Sequence, residues 1–289
     1  MAAEEVGDVR APDGTRLAVR ELGSDGPLVI APALSWLGED LTPLAQGRRL
    51  RCYDVRGQGL SDAVPDTAIG LARDIADLAA VCDAAGEARV TLLGWSYYGA
   101  IAARFALAHP ERVRALALIA PIAPRAQPHW RGYLTAFGRR VDPAAVRRLE
   151  EQRRAGLRAR DPKAWCRFYH DLILGVYVAD REALRHMRSS PCVAPNLDPE
   201  IVNQQMLKVM EALGDYDWRE EMRGLATPTA IWHGDRDPVP LAGSHEWVET
   251  LAQARLTVLE GCGHMPWLEQ PQQFLPMLDA FLSEAAGAG

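Results

Sequence analysis

Residues 90–99 read Val90-Thr91-Leu92-Leu93-Gly94-Trp95-Ser96-Tyr97-Tyr98-Gly99. A short apolar run ends at Leu93, and a helical pattern begins near Tyr98 with Ile101 and Phe105 on one face. The helix is expected to stop at His109-Pro110. A serine in the turn between a buried strand and a helix is displayed above the sheet, and the free N–H groups of the helix start lie behind it. Such a turn suits a nucleophile, and Ser96 is the candidate. The pattern approaches G-x-S-x-G, but Tyr98 stands where the second glycine belongs and Gly99 follows one residue late. A tyrosine there must turn its ring away from the packed side, against a neighbouring loop or the rim of a pocket. Its hydroxyl should find water or a polar partner.

Working outward, short apolar runs recur at residues 16–21, 27–31, 50–54, 89–93 and 115–119. The later ones are continuously apolar, as strands buried on both faces are. Helical spacing over residues 67–84 and 98–108 separates them, and strand–helix alternation implies an α/β fold with a mostly parallel sheet. The rhythm breaks between about Pro124 and Asp215. There Asp142-Pro143, Asp161-Pro162 and Asp198-Pro199 each pair a capping aspartate with proline at the first helical position, and Asp180 offers a weaker start. About four inserted helices are expected. Strands return at 229–233 and 255–259, helices near 244–252 and 271–284, and 285–289 is expected as a frayed tail.

A serine nucleophile needs a base. Of the seven histidines, His109 ends a helix, His129, His170 and His186 fall in the insertion, His245 lies early in a helix and His233 ends a strand. His264 sits in Gly261-Cys262-Gly263-His264, after the last strand, where active sites of parallel sheets gather. It is the expected general base. The preceding strand runs into His233-Gly234-Asp235-Arg236-Asp237-Pro238, which offers two carboxylates to orient that base. Asp237 is favoured because the following proline fixes the turn, whereas Asp235 is expected to cap or to pair with arginine. His264 should then lie within hydrogen-bond reach of Ser96 Oγ.

In this order, serine then acid then histidine, the chain resembles the α/β-hydrolase fold superfamily over nearly its whole length. The segment Asp54-Val55-Arg56-Gly57-Gln58-Gly59-Leu60-Ser61 is similar to the family's D-x-R-G-x-G-x-S loop. The resemblance implies an eight-stranded sheet flanked by helices, with a core of residues 1–124 and 216–289 and a cap of residues 125–215. It implies a Ser96–His264–Asp237 triad and an oxyanion hole from the N–H groups of Tyr97 and of Leu34, with Ala33 next. Many relatives carry His-Gly where this chain has Pro32-Ala33. The implied activity is hydrolysis of a small carboxylic ester or lactone. Aminopeptidase or amidase action of the proline iminopeptidase kind, and non-hydrolytic or carbon–carbon bond-cleaving chemistry on the same fold, are the alternatives. The former is ranked lower, for want of a Gly-Gly-x-Gly oxyanion segment and of acids in the cap to hold an amine. In the cap, Trp165, Phe168 and Tyr169 share a helix face that is either pocket lining or the cap's own core. They join Ala33 and Trp267 as pocket candidates.

Composition bounds the rest. The 289 residues suit one large domain, 48% hydrophobic and 24% charged, with net charge −6 and no basic stripe, which argues against a nucleic-acid partner. The expected partner is a small acyl substrate, with neither metal nor organic cofactor, in a monomer or a homodimer. Nothing approaches the ~18 apolar residues of a membrane span, and the acidic start lacks a secretory signal. Five scattered cysteines, Cys52, Cys82, Cys166, Cys192 and Cys262, read as free thiols in a reducing, cytoplasmic setting rather than as a disulfide frame.

Overall fold

The computed structural model describes residues 6–287. Eight strands form one sheet: β1 (Gly7–Arg10), β2 (Arg16–Leu22), β3 (Leu28–Pro32), β4 (Arg49–Tyr53), β5 (Val90–Trp95), β6 (Val113–Ile119), β7 (Thr229–Gly234) and β8 (Ala254–Leu259). Their spatial order is β1-β2-β4-β3-β5-β6-β7-β8, with β2 antiparallel to both of its neighbours, β1 and β4, and every other pairing parallel. The seven strands read from the sequence are all present. β1 was missed, because the four residues GDVR have three exposed positions and no apolar run.

The helices are α1 (Leu34–Leu37), α2 (Leu71–Ala85), α3 (Tyr97–Ala108), α4 (His129–Arg140), α5 (Pro143–Arg154), α6 (Leu157–Arg160), α7 (Pro162–Tyr177), α8 (Pro199–Leu213), α9 (Arg219–Met222), α10 (Leu241–Thr250), α11 (Pro266–Glu269) and α12 (Pro271–Gly287). Helix α12 runs on through 285–287, which were expected to fray; residues 288 and 289 lie outside the described residues. The central strands are buried end to end: every residue of β3, β5 and β7 is inaccessible. That is why their sequences are continuous rather than alternating. No helix among the described residues is long and apolar enough to cross a membrane.

Six helices, α4 to α9, lie between β6 and β7, and five of them, α4 to α8, fall within residues 125–215. The three aspartate–proline starts behave as read: Asp142, Asp161 and Asp198 accept from the N–H of Ala144, Ala164 and Glu200. The chain leaves and returns side by side, through an antiparallel bridge between Arg125 and Asp217. Ala126 N–H donates to Tyr216 O at 2.8 Å and Trp218 N–H to Pro124 O at 2.9 Å. This segment has its own small core of Ala145, Leu149, Trp165 and Leu172, with Phe168 packed against it.

One expectation about the cysteines fails. Cys166 in α7 and Cys192 form a disulfide, their Cα atoms 5.7 Å apart; Cys52, Cys82 and Cys262 are buried free thiols. The partners are 26 positions apart, so sequence spacing alone gives no hint that the chain folds them together. His170 Nδ1 lies 3.3 Å from Cys166 Sγ and 3.5 Å from Cys192 Sγ, so the three residues cluster like metal ligands. With the sulfurs bonded to each other, the cluster has no thiolate to offer. Burial holds His170 down to about 4, so its ring is neutral near pH 7.

Candidate active site

The elbow keeps its shape despite Tyr98. Ser96 adopts φ 55° and ψ −125°, a conformation rarely tolerated outside glycine and held here by the parts around it. Ser96 N–H donates to Ile119 O at 2.9 Å and Gly99 N–H to Ser96 O at 3.0 Å. The close approach of strand and helix is made by Gly94 and Gly99. A Cβ on Gly94 would lie 2.6 Å from Gly99 Cα and 2.6 Å from Tyr98 O. The glycine that looked one residue late is therefore the one that β5 needs. Tyr98 is released from that duty, and its hydroxyl donates to Gln58 Oε1 at 2.5 Å, in the loop after β4. Its ring lines the cavity above Ser96.

Helix α3 starts directly after the serine, and α1 starts just after β3, the strand next to β5. Leu34 heads α1 and Tyr97 heads α3, and neither N–H donates to an acceptor among the described residues. Ala33, at φ 79°, turns the chain into α1 and is buried. The D-x-R-G-x-G-x-S loop supports this corner. Asp54 accepts from Ser35 N–H at 2.8 Å, Ser35 Oγ at 2.5 Å and Leu60 N–H at 2.9 Å, fixing the head of α1. Arg56 is buried between Asp77 and Asp13. Tyr97 O–H donates to Asp74 Oδ2 at 2.7 Å, anchoring the residue next to the serine.

The acid and the base meet from separate loops. Asp237 is fully buried after β7; its Oδ1 accepts from Val239 N–H at 2.7 Å and its Oδ2 lies 2.6 Å from His264 Nδ1. Asp235 instead accepts from Gly261 N–H at 2.7 Å, bracing the histidine loop. His233, also buried, bonds Ser244 Oγ and Val239 O behind the acid. Tyr177, the last residue of α7, holds His264 from the other side. Its carbonyl accepts His264 N–H at 2.8 Å, and its ring lies 5.1 Å from the imidazole. A Cβ on Gly263 would lie 2.4 Å from that same carbonyl, so only glycine lets α7 come so close. Trp95 closes the frame: its indole N–H donates to His264 O at 3.0 Å. Ser96 and His264 both line the cavity, but no hydrogen bond joins them among the described residues. Unliganded sites commonly show this looseness.

Two lobes meet at Ser96, of about 140 and 170 Å³. Ser96, Tyr97, Tyr177, Asn203 and Met206 are common to both. The first lobe adds Ile122, Ala126, His129, Trp130, Tyr133 and Met210, and the second Trp36, Trp95, Tyr98, Tyr169, His170 and His264. Of the pocket candidates, only Tyr169 lines it. Trp165 and Phe168 belong to the small core of the inserted helices, where they pack with Ala145, Leu149 and Leu172. Trp267 packs edge-on against Trp95, their ring centroids 5.1 Å apart, beneath the cavity rather than in it. Neither Ala33 nor Leu34 lines it; Trp36 of α1 does. Trp36, His129, Tyr133 and Tyr177 escaped the sequence reading because nothing local marks them as neighbours of Ser96.

Chemically, a buried carboxylate fixes one nitrogen of an imidazole, and that imidazole shares a cavity with a strained serine at the start of a helix. This arrangement suits proton exchange with a hydroxyl during attack on a carbonyl. A sheet of this order, with these loops at its carboxyl edge, defines the α/β class of hydrolytic enzymes. The family model for the alpha/beta hydrolase fold matches residues 33–271, and the chain belongs to that family, one of enzymes with hydrolytic activity. Over 243 residues the chain is 27% identical to 2-hydroxymuconate semialdehyde hydrolase of Pseudomonas putida, covering 83% of this chain and 79% of that protein. It is 29% identical over 240 residues to the pimeloyl-[acyl-carrier protein] methyl ester esterase of Nitrosomonas europaea, covering 82% and 86%. The structure of a meta-cleavage product hydrolase from Pseudomonas fluorescens IP01 superposes with a TM-score of 0.72 at 20% identity, covering 97% of this chain and 98% of that one.

Proposed function

We propose that the chain is a serine hydrolase of uncharged small-molecule esters or lactones, acting through an acyl-enzyme on Ser96. His264 takes the proton from Ser96 Oγ during attack, and Asp237 holds the imidazole in the required tautomer and supports its charge. The N–H groups of Tyr97 and Leu34 receive the oxyanion, each donor worth on the order of 10²–10³ in rate. His264 then returns the proton to the leaving group and activates the water that releases the acid. Helices α4 to α8, within residues 125–215, act as the cap, and the remainder is the core.

The observation that carries the substrate class is the lining of the cavity. Among the described residues, no Lys, Arg, Asp or Glu lines either lobe, and aromatic and aliphatic side chains dominate both. Small-molecule sites read by their lining, and this one suits a carbonyl carrying neutral, largely apolar groups on both sides. Carbon–carbon cleavage of an oxo acid is the second reading, favoured by a relative named 2-hydroxy-6-oxo-2,4-heptadienoate hydrolase. Such a substrate brings a carboxylate, and the lobes offer it no cation. An aminopeptidase would need an acid for the amine, and the lobes offer none.

Fluorophosphonate labelling followed by intact mass tests the nucleophile. One adduct is expected on the wild type and none on Ser96→Ala; an equal adduct on both would remove Ser96 from the mechanism. A series of p-nitrophenyl esters should then show Ser96-dependent turnover that rises with acyl length before the lobe fills. The Cys166–Cys192 bond weighs against the reducing, cytoplasmic setting expected from the cysteine pattern, because reducing compartments keep thiols reduced.

A further inference from the structure

The first lobe is mostly apolar, with polar side chains at Ser96, Asn203, four tyrosines and one histidine. His129, the first residue of α4, lines it with Ile122, Ala126, Trp130 and Met210, and only 7% of the side chain is exposed. Its Nε2 lies 3.1 Å from Glu246 Oε1. That contact is off the ring N–H axis, so charge rather than an aligned hydrogen bond orients the ring. Glu246 is itself fixed by Arg125, whose Nε reaches Oε2 at 2.9 Å and whose Nη2 reaches Oε1 at 2.5 Å. The adjacent guanidinium also holds the Glu246 carboxyl below its usual range. An ionised carboxylate at Nε2 favours the tautomer with its proton on that nitrogen. Nδ1 is then a bare acceptor, and no donor meets it among the described residues. Once a ligand fills the lobe and displaces water, an acceptor left without a donor is costly, so a ligand that supplies the donor is favoured.

Resting on the ester reading of the site, we propose that His129 Nδ1 accepts a hydrogen bond from a hydroxyl on the substrate. The preferred substrate is a hydroxylated ester or lactone-derived acyl compound, with its hydroxyl at the end of the group that fills the first lobe. The charge arrangement selects a neutral donor. Arg125 already balances Glu246, so no net negative charge remains to attract an ammonium group. A substrate carboxylate would meet the lone pair of Nδ1. Hydroxyl recognition of this kind discriminates sharply against the analogue lacking the group, because the buried acceptor is then left unpaired.

Binding to the Ser96→Ala protein tests this without turnover, so it stands or falls separately from the labelling experiment. Methyl esters of ω-hydroxy acids of four to eight carbons are compared by calorimetry with the matching alkyl esters. At one chain length the hydroxy ester should bind about 5- to 10-fold more tightly. Adding His129→Phe should bring the two series together, and Glu246→Gln, which frees the tautomer, should shrink the preference. His129→Asn, which keeps an acceptor, should retain part of it, and melting curves establish that each variant folds. Equal binding of the two series at every length overturns the proposal. So does a preference that survives His129→Phe, or tighter binding of the ω-amino or ω-carboxy ester.

Discussion

Gly94 and Gly99 hold the serine turn in shape at the scale of single residues. Glycine to alanine within a helix or strand usually gains stability, because alanine restricts the unfolded chain. At Gly94 the sign reverses, since the new Cβ would sit 2.6 Å from backbone atoms of α3 that cannot rotate away. Gly94→Ala should cost about 1–3 kcal/mol, read as a lower melting temperature. It should also slow fluorophosphonate labelling, because relief of the clash moves Ser96. Labelling at the wild-type rate with unchanged stability would contradict this packing. The glycines themselves are visible in the sequence. Their partnership is not, because it depends on how α3 crosses β5, and a one-residue offset from the familiar pattern was enough to obscure it.

Among the elements, α7 connects the inserted helices to the loop that carries His264. Its face carries Tyr169 and His170 into the cavity, its last residue holds His264, and its Cys166 ties it to Cys192. The loop before α8 is fastened to the core as well. Asp40 accepts from the N–H groups of Arg188 and Ser189, and Asn196 donates to Gly59 O and Ser61 O. Closing a loop of this length by a disulfide contributes about 3 kcal/mol in the chain-entropy account. Cys166→Ser, or a thiol reductant, should therefore lower stability by a comparable amount. Amide exchange should quicken in α7 and residues 187–198, while the sheet stays protected. KM for long-chain esters should rise more than kcat falls. An unchanged exchange pattern would show that the core anchors suffice. The helix starts here were legible from Asp-Pro pairs, since a cap is a local affair. Which face of α7 meets the cavity was not, and Trp165 and Phe168 went to the wrong side of that division.

For the whole molecule, pH dependence of stability has an identifiable source. Asp74 is 2% exposed; burial pushes its carboxyl up to about 7, partly opposed by the hydroxyl of Tyr97. The unfolded chain releases that proton near its ordinary value, so between about pH 4 and 7 the folded protein binds more protons than the unfolded one. Stability from this group is complete below that window and is lost as pH rises through it. Asp74→Asn, which stays neutral and keeps an acceptor for Tyr97, should gain on the wild type by roughly 2 kcal/mol between pH 5 and 8. Urea unfolding at the two pH values measures this, and a constant difference would place the cause elsewhere. The architecture is legible in the chain's local patterns: continuous apolar strands, intervening helices, capped starts, and the order of Ser96, Asp237 and His264. All of these follow from periodicity and turn chemistry, which act over a few residues. Only the tertiary structure decided that Gly99 packs on Gly94, that Cys166 meets Cys192, and that Trp36, His129 and Tyr177 surround the serine. Those pairings depend on the crossing of elements far apart in the chain, where packing and loop closure choose among contacts that local sequence leaves open.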